Sequence, residues 1–144
     1  MLGLQLAVSL HPNGDRVRDR GHLALIARLR DRLRPPAVIR TEVPIPISGD
    51  PRSADGVISL PSGDLLVEAE THLGDIQSLE RRCAAKARDL GASRTILLVA
   101  DTRHNRQVIR DHPELLERFP IGTRPCLARL AKGEDPGGDA LVIL

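Results

Sequence analysis

The order of strand and helix patterns in the middle of the chain constrains its fold more than any other feature. Two short stretches, Asp55 to Leu60 and Leu65 to Glu70, are joined by Pro-Ser-Gly-Asp, a turn composition that predicts an antiparallel hairpin. An amphipathic helix follows, with an apolar stripe that ends at Gly91. Thr95 to Ala100 is a continuous apolar run, as in a buried central strand. This order predicts an α/β sheet with helices on both faces.

The segments before the hairpin extend this pattern. Apolar residues alternate from Leu2 to Leu10, which predicts a strand, and their spacing lengthens to three or four from about Asp19 to Leu33, which predicts a helix. Pro35-Pro36 is expected to end that helix, because proline cannot continue its hydrogen-bond ladder. Ala37 to Val43 is predicted to be a strand.

The segments after the central run complete the predicted domain. Asp101-Thr102 is expected to cap a helix from about Arg103 to Arg110, and a helical turn is predicted from Glu114 to Arg118. Pro125 to Leu130 and Ala140 to Leu144 are predicted to be the last strands. We expect a single domain over residues 1–144, with its core at about 19–100, because 144 residues are too few for two comfortable domains.

Composition narrows the classes of function. Phe119 is the single aromatic residue apart from histidine, and the chain has no Trp or Tyr, so a protein that stacks single-stranded bases on those rings is not expected. Arginine supplies 19 of the 21 basic residues, and its planar fork suits phosphate, although a coding bias towards arginine explains the same count. Paired carboxylates also occur in glycosidases, but those enzymes are disfavoured here because Trp and Tyr are missing.

The remaining composition predicts a cytoplasmic protein with no membrane span. No apolar run approaches the roughly 18 residues that cross a bilayer, and the N-terminus lacks a signal-peptide pattern. Cys83 and Cys126 have no metal-type spacing and are expected to be small apolar core residues. The five histidines are scattered, so no zinc site is predicted.

Three acidic residues form the candidate site. Glu68 and Glu70 are two apart on one predicted strand, so their side chains leave the same face, roughly 6–7 Å apart. Asp55 opens the preceding strand; it is not expected opposite Glu70, but strand twist and a bulge or offset could still bring it beside Glu68. Clustered carboxylates repel one another, and Mg2+ or Mn2+ would relieve that repulsion. The alternative is a solvent-facing strand whose glutamates pair with arginine.

The motif Asp55…Glu68-Ala69-Glu70, within this order of elements, resembles the PD-(D/E)xK phosphodiesterase superfamily, which includes restriction enzymes. The resemblance implies a restriction-endonuclease-like αβββαβ core with a mixed central sheet flanked by helices. It implies that Asp55, Glu68 and the Ala69 carbonyl hold Mg2+ or Mn2+. Glu70 occupies the position of the family's catalytic lysine and would act as a base or metal ligand; Lys86, on the following helix, is the one candidate for a migrated lysine.

Further site residues come from the same resemblance and from local charge. Gln77 is placed like the glutamine that RecB-type members carry early in the helix after the third strand. Arg81, Arg82, Arg103 and Arg106 are candidates for phosphate contacts on DNA, the last two because they open a helix whose N-terminus favours anions. The alternative for these arginines is a solvated helix face. Glu80 falls inside the apolar stripe, where a buried ion pair with an arginine is expected.

Two functions stay open from sequence. The first is a metal-dependent nuclease domain acting on DNA, with Asp55, Glu68, Glu70 and Gln77 as its catalytic residues. The second is a catalytically inactive module of the same fold, used for DNA binding, sensing or dimerisation in a transcriptional regulator. The segments Val67 to Leu73 and Leu97 to Arg106 also resemble domains attached to helix-turn-helix regulators of actinobacteria, which implies a helix-turn-helix partner domain in a longer chain.

Overall fold

The computed structural model describes the backbone of residues 14–144 and the side chains from residue 20 onwards. The strand predicted between Leu2 and Leu10 lies outside these residues. The helices are α1 (Gly14–Arg30), α2 (Ile76–Leu90), α3 (Arg103–Asp111), α4 (Glu114–Arg118) and α5 (Thr123–Leu130). The strands are β1 (Val38–Pro44), β2 (Ser53–Leu60), β3 (Gly63–Glu70), β4 (Arg94–Val99) and β5 (Ala140–Ile143).

The described strands form one five-stranded mixed sheet in the order β1-β2-β3-β4-β5. The first three strands are antiparallel neighbours, whereas β3, β4 and β5 run parallel. The predicted hairpin is confirmed: Leu60 pairs with Gly63, so the turn between β2 and β3 contains two residues. The parallel pairs are joined by helices, as crossover connections require.

Helices cover both faces of the sheet, as predicted. On one face, α1 and α5 pack Leu29 and Leu130 against Val67 and Leu98. On the other face, α2, α3 and α4 pack side chains such as Cys83 and Phe119 against Leu97 and Val99. Cys83 and Cys126 are both buried in these cores, and burial raises the pKa of each thiol to about 12. They are core residues, as predicted.

One predicted helix end and one predicted strand are wrong, each for an identifiable physical reason. Helix α1 ends at Arg30, before the two prolines, because its last turn tightens: Arg32 donates to the Leu29 carbonyl three residues back. Residues 125–130 belong to helix α5, not to a strand. Proline is tolerated in a first helical turn, where its missing N–H has no intrahelical partner, and Cys126 and Leu130 bury one helical face.

The packing of α1 against the end of β3 positions the candidate site. Gly21 approaches Thr71 so closely that a Cβ atom at position 21 would lie 2.7 Å from the Thr71 Cγ2 atom. A larger residue would therefore push α1 away from the point where β3 ends. No helix in residues 14–144 is long and apolar enough to cross a bilayer.

Candidate active site

Strands β2 and β3 separate at the candidate site. Their last paired residues are Gly56 and Val67, and continuing this register places Asp55 opposite Glu68. At that position carboxylate groups take the place of backbone carbonyls as hydrogen-bond acceptors between the strands. The Asp55 N–H donates to Glu68 Oε2 at 3.0 Å, and the Ala69 N–H donates to Asp55 Oδ2 at 2.8 Å. The two acids therefore lie side by side without a bulge or offset, because the two-residue turn sets the register that the sequence left open.

Lys86 completes this pair from helix α2, 18 residues after Glu68. Its Nζ atom lies 2.6 Å from Glu68 Oε1, and only 15% of the lysine side chain and 5% of the glutamate side chain are exposed. Burial raises the pKa of Glu68, the nearby charge of Asp55 raises it further, and Lys86 opposes both effects. The alternative of a solvent-facing Glu68 paired with arginine is therefore wrong.

Glu70 lies one pleat further along β3. Its Oε1 atom is 3.5 Å from Arg82 on α2, and its side chain is 20% exposed. Burial raises the pKa of Glu70, while the charge of Arg82 acts in the opposite direction. This residue, which the sequence resemblance was expected to place at a lysine position, faces an arginine on the following helix.

We expect Glu70→Gln to stabilise the metal-free protein at neutral pH. A carboxyl group whose pKa is raised on folding costs stability as the pH rises from its unfolded value of 4.5 through its folded value. The stability advantage of the glutamine variant should therefore grow as the pH rises above about 4.5. Urea unfolding in EDTA at several pH values measures it.

The control for that prediction is Glu117→Gln, which alters an exposed glutamate on α4 and should leave the pH dependence unchanged. A Glu70→Gln variant that is less stable than the wild type at neutral pH would contradict the prediction. It would mean that the ion pair with Arg82 outweighs the desolvation of the Glu70 carboxylate.

An open cavity of about 450 Å³ adjoins these residues. Its charged and imidazole lining comprises His22, Asp55, Glu68, Glu70, His72, Asp75, Arg82 and Lys86. The volume lies within the range of about 300–1,000 Å³ that is typical of small-molecule sites. Of the residues predicted from sequence, the cavity thus brings together Asp55, Glu68, Glu70 and Arg82, and it adds the migrated-lysine candidate Lys86.

His22 was not predicted as a site residue. Its Nδ1 atom lies 3.9 Å from Asp55 Oδ1, and its side chain is 19% exposed. The sequence signal that could have identified His22 is its spacing. His22 lies one helical turn before the buried Ile26, so both residues lie on the side of α1 that faces the sheet.

Several predicted residues lie away from the cavity. Gln77 is exposed and is not part of the cavity lining. It precedes the cavity-lining Arg82 by five residues, so the two side chains point about 140° apart around the axis of α2. Arg81 and Arg103 are exposed and do not line it either. Arg106 makes a 2.6 Å ion pair with the exposed Asp101, and its side-chain hydrogen bond lowers the pKa of that carboxyl.

Asn105 lies between Arg103 and Arg106, the two arginines predicted to contact phosphate, but its own role is to hold the backbone. It is fully buried and accepts the Leu73 N–H at 2.8 Å. It also donates to the carbonyls of Thr71 and Ala100, at 3.0 and 2.9 Å. Asn105 therefore clamps the loop that leads from β3 into α2 against the end of β4.

Glu80 also departs from expectation. Its Oε1 atom is buried and has no hydrogen-bond partner among the described residues. The ion pair that we expected with an arginine is absent from that part of the chain.

The donor set at the open end of β2 and β3 fits a hard divalent cation. The described residues contain no cluster of three or more His, Cys, Asp or Glu side chains arranged as a metal site. Mg2+, however, is commonly held by one or two carboxylates together with waters and substrate phosphate. Asp55 and Glu68 supply two carboxylates, and Ala69 lies just beyond the last ladder pair, next to Asp55.

Comparison of the chain with family models, with curated proteins and with solved structures gives no match. The fold and the cavity therefore define the class of protein on their own. Residues 14–144 form a mixed α/β fold whose described strands make a five-stranded sheet, and acids from β2 and β3 meet a lysine from α2 at one cavity.

Proposed function

We propose that this domain is a metal-dependent phosphodiesterase that cleaves DNA. The observation that carries the proposal is the 2.6 Å contact between Lys86 and Glu68, with Asp55 hydrogen-bonded beside them at the cavity. The lysine that the PD-(D/E)xK pattern expects in place of Glu70 is then supplied from helix α2. This is an acid–acid–lysine set assembled from three elements.

Asp55, Glu68 and the Ala69 carbonyl are the groups that would hold Mg2+ or Mn2+. Such an ion would lower the pKa of a bound water and polarise a phosphoryl oxygen. The desolvated Glu68 and the neighbouring Asp55 form a site whose mutual repulsion a cation would reduce. The all-oxygen character of the set favours these hard ions over zinc.

The chain's own residues have separable roles in this proposal. Lys86 neutralises Glu68 and carries ammonium donors next to the position of the reacting phosphate. Glu70, with its raised pKa, accepts a proton from the attacking water. Arg82 is 54% exposed at the same cavity and exchanges its weak contact with Glu70 for a substrate phosphate.

One observation favours a second candidate, the non-catalytic module. Lys86 already supplies Glu68 with an oppositely charged partner without any metal, so the protein alone offsets part of the charge of this buried carboxylate. In that case the cavity would serve to bind a ligand, and the acid–lysine pair would be structural. The two candidates differ in whether divalent metal binds and whether phosphodiester bonds break.

The test is DNA cleavage in Mg2+ or Mn2+, with supercoiled, linear and single-stranded substrates and an EDTA control. We expect metal-dependent cleavage by the wild type. Asp55→Asn and Glu68→Gln should each reduce the rate about 1,000-fold, because losing a metal ligand removes several kcal/mol of transition-state stabilisation. Glu117→Gln, at an exposed position, is the matched control.

A wild-type protein that cuts none of these substrates and shows no calorimetric binding of either metal would refute the phosphodiesterase. That pair of results would instead support the non-catalytic module.

A further inference from the structure

Two imidazole rings are stacked beside the cavity. The rings of His72 and His104 have centroids 3.8 Å apart and planes only 4° from parallel. His72 belongs to the loop between β3 and α2, whereas His104 lies in the first turn of α3. The stack therefore joins two elements that leave the same end of the sheet.

Hydrogen bonds hold the stack in place. His104 Nε2 lies 2.7 Å from the Leu73 carbonyl oxygen, and because a carbonyl only accepts, this nitrogen carries the proton. The neighbouring Asn105 binds the backbone on both sides of His72, at the Thr71 carbonyl and the Leu73 N–H. The His72 ring is thus presented by a loop that is bonded before and after it.

The position of the stack gives the two rings different surroundings. His72 is exposed and lines the cavity, whereas His104 is exposed but does not line it. His104 therefore backs one face of the His72 ring from outside the cavity. His72 is the member of the pair that shares the cavity with Glu70 and Arg82, and it is exposed there.

We propose that the His72–His104 stack is a platform for an unpaired nucleobase, so that the substrate is single-stranded or locally unpaired DNA at the cleaved phosphate. Histidine is among the side chains on which unpaired bases stack in nucleic-acid complexes. The scarcity of Trp, Tyr and Phe predicted that no stacking platform would be found, and this imidazole pair supplies one. The inference rests on the proposed action on DNA.

The experiment compares two probes of about twelve nucleotides: oligothymidylate, and the same chain with an abasic analogue at its central positions. Both carry the same phosphates, so charge contacts contribute equally to their affinities. Binding is measured by fluorescence anisotropy in EDTA, where the proposed cleavage does not occur. We expect the wild type to bind the intact probe about tenfold more tightly, as expected for one stacked base.

Two variants of the exposed His72 separate stacking from other contacts. His72→Ala should bind both probes equally, whereas His72→Phe should keep the wild-type ratio because it retains a ring without polar nitrogens. The inference is overturned if the wild type does not distinguish the probes or binds neither. It is also overturned if the alanine variant keeps the ratio or the phenylalanine variant loses it.

Cleavage of the intact probe in Mg2+ or Mn2+ is measured separately. A base-dependent affinity without cleavage would contradict the phosphodiesterase while supporting the platform. Cleavage without base-dependent affinity would contradict the platform alone. The failure of one proposal is therefore distinguishable from the failure of the other.

Discussion

Replacing Lys86 with methionine is expected to abolish metal-dependent DNA cleavage and to destabilise the domain at neutral pH. Methionine keeps most of the volume but leaves the Glu68 carboxylate, which is 5% exposed, without its 2.6 Å partner. Removing one member of a buried ion pair typically costs about 3–5 kcal/mol. We expect the free energy of unfolding to fall by an amount of that order, measured by urea unfolding at pH 7 in EDTA.

A double variant separates the structural role of Lys86 from its catalytic role. Lys86→Met combined with Glu68→Gln removes both charges, so most of the lost stability should return. Cleavage should stay absent, because the proposed metal ligand and the ammonium group are both missing. Lys132→Met is the matched control, since Lys132 is the chain's other lysine and is exposed.

Two results would contradict this account of Lys86. Wild-type cleavage by the Lys86→Met variant would show that the lysine has no part in the reaction. An unchanged free energy of unfolding in the same variant would show that Glu68 does not depend on the ion pair, and that the pair is open to water in solution.

Replacing Gly133 with alanine is expected to produce the largest loss of stability at any glycine described here. Gly133 has a φ of +69°, and a Cβ atom there would lie 2.4 Å from the Pro36 Cδ atom and 2.9 Å from the Pro35 carbonyl oxygen. The residue follows α5 and packs against the connection between α1 and β1. Both the left-handed backbone and the overlap with rigid backbone atoms disfavour a side chain.

The matched control is Gly91→Ala at the end of α2. Gly91 has a similar φ of +74°, but nothing lies within 4 Å of an added Cβ. This variant should lose about 1 kcal/mol from backbone strain alone. Gly133→Ala should lose about 3 kcal/mol or more, which corresponds to a decrease in Tm of about 6–12 °C. Equal losses would show that the connection at Pro35 and Pro36 moves aside without cost.

Much of the fold could be predicted because it depends on local patterns. The hairpin turn between Leu60 and Leu65, the helix end at Gly91 and the cap at Asp101-Thr102 each follow from short-range chemistry. The structure contains all three, with two residues in the turn and Thr102 as the cap. The segment 125–130 was predicted wrongly because a short apolar run with a proline suits either a strand end or a first helical turn. The burial of one face of this segment against the sheet decides in favour of the helix.

The candidate site was predictable only in part. Asp55, Glu68 and Glu70 stand out because acids interrupt otherwise apolar strands. The roles of Lys86 and His22 depend on how α2 and α1 pack against the sheet, and Gln77 lies elsewhere because the rotation of α2 turns it outwards. Helix rotation about its own axis is set by the whole apolar interface, so a single polar position does not reveal it.

The sequence by itself determined the mixed α/β class, the hairpin, and the presence of three acids on two adjacent strands, because turn chemistry and hydrophobic period act over a few residues. Only the tertiary structure decided which basic group meets which acid. Lys86 reaches the buried Glu68 and Arg82 faces Glu70 because α2 packs across that face of the sheet. The lysine beside Glu68 is thus supplied by the packing of a helix and not by the strand that carries the glutamate.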